Sequence, residues 1–161
     1  MRYKGEDKME TISLIIAIVS VVVAVISIVF SVVNFNRTVK HDRKKSTLEA
    51  YNRLQREVFD NLNRYTPSQI RSICEDPKSA EYKTISGYLA RIEHFCVGIN
   101  EKIYDEGIFY AIAHGYFDGH QIKKRIEPLL ESKNRDSGSQ ELYYKNIRTV
   151  LERMKKRDKK Q

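Results

Sequence analysis

From Thr11 to Asn36 the chain carries no charged residue, with Glu10 before the stretch and Arg37 after it. As a helix, residues 12–33 would be about 33 Å long, enough to cross a hydrocarbon core of about 30 Å. That length excludes a buried strand. A secretory signal peptide would have a shorter apolar region followed by a small-x-small cleavage site, and no good site of that kind precedes Asn34. The expectation is a retained transmembrane helix over residues 11–36, preceded by a short tail, residues 1–10.

The apolar stretch SLIIAIVSVVVAVISIVFSVVN has an internal beat. Ser13, Ala17, Ser20, Ala24, Ser27, Ser31 and Asn34 follow one another at alternating steps of four and three. On a helix this is a heptad stripe of small residues, with Val, Ile and Leu on the other faces. Lipid supplies no hydrophobic drive between helices, so close approach and interhelical hydrogen bonds must hold them together. Small residues permit the approach, and a strict heptad favours left-handed supercoiling. The competing reading is a plain anchor in which each serine bonds the carbonyl four residues back.

Charge is confined to particular places. Residues 37–45 (RTVKHDRKK) carry +4, residues 153–160 (RMKKRDKK) carry +5, and residues 46–152 between them carry −1. A nucleic-acid-binding domain spreads a basic face over its fold, so nucleic acid is an unlikely partner. Arg37, Lys40, Arg43, Lys44 and Lys45 outnumber Arg2, Lys4 and Lys8 on the other flank. The bias places the N-terminus outside and the remainder in the cytoplasm, at the inner or plasma membrane. The same five residues are candidates for contact with anionic lipid, worth about 1 kcal/mol each near the surface. Cys74 and Cys96 match no zinc or CxxC spacing and read as free thiols of a reducing compartment.

Beyond the basic run the pattern is helical throughout. Leu48, Tyr51, Leu54, Val58, Leu62 and Tyr65 extend a stalk over residues 37–65. Thr66, Pro67 and Gln69 form a capping box opening a short helix through Cys74. Tyr82, Ile85, Leu89, Ile92, Cys96, Ile99 and Ile103 make the stripe of a core-facing helix over 78–103, with close packing of a neighbouring helix one reason to tolerate Gly87 and Gly98. Asp105 caps a helix running through Ala113 to Gly115. Another is expected from Asp118 to Lys133 on Ile122, Ile126, Leu129 and Leu130, kinked or shortened by Pro128. NRDSGS, 134–139, reads as a loop. A last helix from Ser139 uses Tyr143, Ile147, Val150, Leu151 and Met154, then frays. The fold class is all-α: a helical domain over 66–154 forming a small cytoplasmic bundle, with a basic tail over 155–161.

The segment YLARIEHFCVGINEKIYDEGIFYAIAHG, residues 88–115, resembles a family of small bacterial and phage-associated membrane proteins known only as a domain of unknown function. The likeness rests on Glu93 before the aromatic Phe95, the pair Gly98 and Ile99, the turn Tyr104, Asp105 and Glu106, and the aromatic Tyr110; Ile122 and Pro128 also fit. The resemblance implies one N-terminal transmembrane helix and a helical cytoplasmic domain, and brings no activity with it.

No catalytic motif accompanies this architecture. P-loop, HExxH, GxSxG and GxGxxG patterns are absent, and RTVKH and RIEH are too short for the Arg-x4-6-His motif of one class of helical ribonucleases. His41 reads as solvated. His94 and Cys96, two apart on a helix, point to different faces. His114, Asp118 and His120 gather at one turn, where capping is the simpler role. Glu75, Asp76, Asp105 and Glu106 sit at helix breaks and suit the helix dipole. Glu93 lies beside the apolar stripe, so a partner is expected, Arg91 or another arginine across the core. The reading is therefore non-enzymatic, with no metal and no cofactor. It describes a single-pass membrane protein whose helical domain mediates self-assembly or binds a helical partner. The alternative is a membrane-acting effector of bacterial or phage defence that perturbs the bilayer on oligomerisation.

Overall fold

The structure, a computed structural model, describes residues 6–114, 121–136 and 144–159. The described residues are helical, without strands. By its contacts the chain divides into two compact units, Met1–Asp42 and Arg43–Gln161.

Helix α1 (Glu6–Leu54) supplies all the described structure of the first unit. Its apolar residues there are uncovered: Ile12, Leu14, Val21, Phe30 and Phe35 are 57 to 68% exposed. One helix of this chain is thus long and apolar enough to cross a membrane.

The second unit opens with the end of α1, which passes into a π-helical turn, Gln55–Phe59, and then α2 (Asp60–Leu62). The wider turn allows the neighbours Val58 and Phe59 to be buried together with Leu54 and Leu62. The heptad-like reading had chosen Leu48 and overlooked Phe59. Leu48 is 41% exposed, whereas Phe59 is fully buried. Helix α3 (Pro67–Ile73) begins at the expected capping box: the Gln69 N–H donates to Thr66 Oγ1 at 3.3 Å, and the Thr66 N–H to Gln69 Oε1 at 2.8 Å.

Helix α4 (Ala80–Asn100) is the centre of the unit and packs against α7, α6 and the π-helical turn. Tyr82, Ile85, Leu89, Ile92, Phe95, Cys96 and Ile99 are all buried. The stripe stops one step short of the expectation, because Ile103 is 59% exposed. The reason is a Schellman ending: Lys102 adopts φ 59°, the Ile103 N–H donates to the Gly98 carbonyl at 2.9 Å, and the Lys102 N–H to the Ile99 carbonyl at 3.2 Å. The chain reverses there and carries Ile103 off the core face.

Helix α5 (Glu106–Ala113) is capped by Asp105, whose Oδ1 accepts the Ile108 N–H at 2.9 Å. Helix α6 (Gln121–Asp136) runs through Pro128 instead of ending there. Burial of Ile122, Ile126, Leu129 and Leu130 outweighs the interior-proline cost of about 3 kcal/mol. The helix also extends into the segment read as a loop from residue 134. Helix α7 (Lys145–Asp158) buries Ile147, Val150 and Met154 and stays helical to Asp158, where fraying had been expected. The expected start of this helix at Ser139, with Tyr143, lies outside the described residues, as do the stop at Gly115 and the end of the basic tail.

Candidate functional site

In the first unit the small-residue stripe is wholly exposed, from Ser13 through Ala17, Ser20, Ala24, Ser27 and Ser31 to Asn34. Three of its serine hydroxyls are already engaged. Ser20, Ser27 and Ser31 donate to the carbonyls of Ile16, Val23 and Ser27, each at 2.8 Å. This is the local alternative that the spacing had left open. What the face offers a second helix is therefore low steric relief, with hydroxyl oxygens available as acceptors only. Past it, Arg37 and Lys40 are exposed, as are Arg43, Lys44 and Lys45 at the start of the second unit.

In the second unit, the residues that carried the family resemblance are where α4, α5 and α7 are joined. Gly98 lies under the ring of Tyr104: a Cβ on Gly98 would come within 2.4 Å of Tyr104 Cε2. Tyr104 also stacks on Phe95, with ring centroids 5.1 Å apart. Phe95 in turn meets Phe109 at 5.3 Å. The Asp105 N–H donates to Oγ1 of Thr47 at 2.8 Å, and that fully buried hydroxyl donates to the Arg43 carbonyl at 2.6 Å. Ile99 is buried in the core beside them. Gly87 has no comparable role, since a Cβ there would meet nothing within 4 Å. Close packing of a neighbouring helix is therefore not the reason for either glycine: Gly98 makes room for Tyr104, in the turn after its own helix, and Gly87 faces open space.

Glu93 has a partner, but not an arginine. Its Oε2 accepts the Ile147 N–H at 2.9 Å, and its Oε1 accepts the Asn146 N–H at 3.1 Å and Asn146 Nδ2 at 2.7 Å. A carboxylate from α4 thus caps the N-terminus of α7, where unpaired N–H groups and the helix dipole both favour negative charge. Arg91 faces elsewhere and pairs with Glu57 at 3.0 Å.

A polar ladder continues from this cap along α7. Asn100 Nδ2 donates to Asn146 Oδ1 at 2.6 Å, and Asn100 Oδ1 accepts from Arg153. Arg153 pairs with Glu106 at 3.3 Å, and Glu106 lies 4.0 Å from Arg157. The ladder ends where Asp158 Oδ1 accepts from the Tyr110 hydroxyl and meets His114 Nε2 at 2.8 Å. The Arg157 guanidinium sits 5.1 Å over the Tyr110 ring.

Thr47, Asn100, Asn146, Arg153 and Asp158 were not singled out from the sequence. Only Asp158 had a signal there, as the one acid in a run of six lysines and arginines.

His94 is exposed and Cys96 buried, so that pair diverges. Burial pushes the Cys96 thiol far above its ordinary range, with Glu93 adding to the rise and Arg153 opposing it. Asp76 accepts the Lys78 N–H at 3.1 Å and so caps a turn. Asp118 and His120 lie outside the described residues. Among the described residues no group of three or more His, Cys, Asp or Glu is placed to hold a metal. A groove of about 690 Å³ runs between α1 and α4 and is lined in part by Glu49, Arg53, Glu57, Arg91, Phe95 and Ile103.

No curated protein matches the chain, and no solved structure does. One protein family does, a domain of unknown function, over residues 14–154, beginning inside the apolar stretch and ending at the last buried residue of α7. The chain belongs to this family, DUF4760.

Proposed function

We propose that this is a non-enzymatic, single-pass membrane protein whose helical domain assembles at the membrane surface, with a second copy or a helical partner. The observation that carries the reading is the apolar part of α1: large side chains from Ile12 to Phe35 stand 42 to 68% exposed. Water does not tolerate a contiguous apolar surface of that size, and lipid or other helices must cover it. The lysine and arginine bias past Asn36 supports a cytoplasmic second unit at the plasma membrane. Arg37, Lys40, Arg43, Lys44 and Lys45 meet anionic headgroups there.

The stripe from Ser13 to Asn34 is the assembly face. Engagement of the Ser20, Ser27 and Ser31 hydroxyls within the helix supports a face for close packing over a polar lining for a pore. This favours assembly over bilayer perturbation. Alkaline extraction of membranes, together with reporter fusions at each terminus, tests the anchoring. The protein is expected in the membrane pellet, with a C-terminal fluorescent reporter active and a C-terminal phosphatase reporter inactive. Release into the supernatant would contradict the reading.

A further inference from the structure

The start of the second unit, Arg43 to Lys45, and the basic end of α7 are more than 100 residues apart in the sequence and are linked through α5. Thr47 ties the Arg43 carbonyl to the Asp105 N–H, and the neighbouring Glu106 holds Arg153 and Arg157. Arg43 and Arg153 line the same cavity of about 230 Å³. Helix α7 therefore approaches the start of the unit where Arg153 and Arg43 face one cavity, and Lys44 and Lys45 follow Arg43 directly in the chain.

The sequence around Asp158 is arranged so that charge faces outward. Asp158, the only acid among residues 153–160, is turned inward to Tyr110 and His114 and is 25% exposed. Lys155, Lys156 and Lys159 are exposed. At 100° per residue they share one face of α7, opposite Met154, which is buried. Glu152, one turn earlier on that face, is the only acid among them.

We infer that Lys155, Lys156 and Lys159 form, with Arg43, Lys44 and Lys45, a single bipartite surface that docks on the anionic headgroups of the bilayer. This rests on the membrane anchoring proposed above and adds the C-terminal segment to it. Reach supports lipid as the occupant. Only six residues separate Asn36, the end of the uncharged stretch, from Arg43, so the chain holds Arg43 within about 25 Å of the apolar segment. Each lysine near such a surface shifts the docked-to-free ratio by about fivefold at ordinary ionic strength, and the attraction fades within a Debye length.

The test uses the full chain with Cys74→Ser, a bimane label at Lys156→Cys, and nanodiscs carrying a headgroup quencher. Cys96 is buried and stays unlabelled. Quenching is expected to be stronger in discs containing phosphatidylglycerol than in phosphatidylcholine alone. Lys155→Glu with Lys159→Glu is expected to weaken it by fivefold or more, and so is high salt. Equal quenching in both discs, with the protein incorporated, would overturn the docking inference and leave anchoring intact. Failure of the protein to enter discs would overturn both. Binding of a duplex oligonucleotide in place of lipid-dependent quenching would assign the patch to nucleic acid and overturn the inference. Circular dichroism of the double variant separates lost charge from lost fold.

Discussion

Gly98 sits beneath the ring of Tyr104 so closely that a methyl group on it would come within 2.4 Å of Cε2 and 2.5 Å of Cδ2. The ring is also held by stacking on Phe95. Gly98→Ala is expected to destabilise the protein by about 1–3 kcal/mol through overpacking. Gly87→Ala, in the same helix, meets open space and is expected to add about 0.5–1 kcal/mol. Unfolding midpoints of the two variants should move in opposite directions, and equal shifts would contradict the packing described.

The Glu93 carboxylate stands in for a side-chain cap that α7 lacks: Tyr144, at its N-cap, makes no capping bond. Glu93→Ala is expected to lose about 2–3 kcal/mol, since it strips three hydrogen bonds from a partly buried helix start. Amide exchange at Asn146 and Ile147 should accelerate more than exchange in the middle of α4. Uniform acceleration would mean that Glu93 is not a cap.

Cys96 supplies a pH dependence. Its thiol is held protonated in the fold by burial, whereas an unfolded thiol ionises from about pH 8.5. The folded pKa is the higher one. The contribution is therefore fully present below the unfolded value and is lost as pH rises above it, by at most about 1.4 kcal/mol per pH unit. Thermal unfolding between about pH 8 and 10 should show a steeper decline for the wild type than for Cys96→Ala. Parallel curves would contradict it. In the native state, thiol reagents should modify half-buried Cys74 well before Cys96.

Asp158 anchors the last turn of α7. Asp158→Asn weakens its bonds to Tyr110 and His114 and is expected to cost about 1–2 kcal/mol, with faster proteolysis at the C-terminus. His114→Ala removes only an exposed partner and should cost less than about 1 kcal/mol. A larger effect at His114 would reverse this ranking.

Much of this molecule was legible in its sequence because the signals were local. The uncharged stretch, the capping box at Thr66 and Gln69, and the stripe from Tyr82 to Ile99 each depend on neighbours within a turn or two. Contacts across the fold were not legible. Glu93 announced that it needed a partner, but the partner is a backbone 53 residues away, and backbone N–H groups leave no mark on a sequence. The π-helical turn that buries Phe59, and the reversal at Lys102 that exposes Ile103, both shift a periodic pattern without altering its composition. Asp158 was hidden because a lone acid in a lysine-rich segment looks solvated until α5 is packed against it.

The assembly face is tested most directly by disulfide crosslinking in native membranes. Single cysteines are scanned from residue 13 to 34, with Cys74 and Cys96 replaced. Crosslinks should peak at 13, 17, 20, 24, 27 and 31. In companion variants, Ser→Ala at positions 20, 27 and 31 should preserve the peaks, since the hydroxyls bond within their own helix, whereas Ser→Leu should abolish them by blocking close approach. A flat, weak profile would contradict the account and reduce the apolar helix to an anchor.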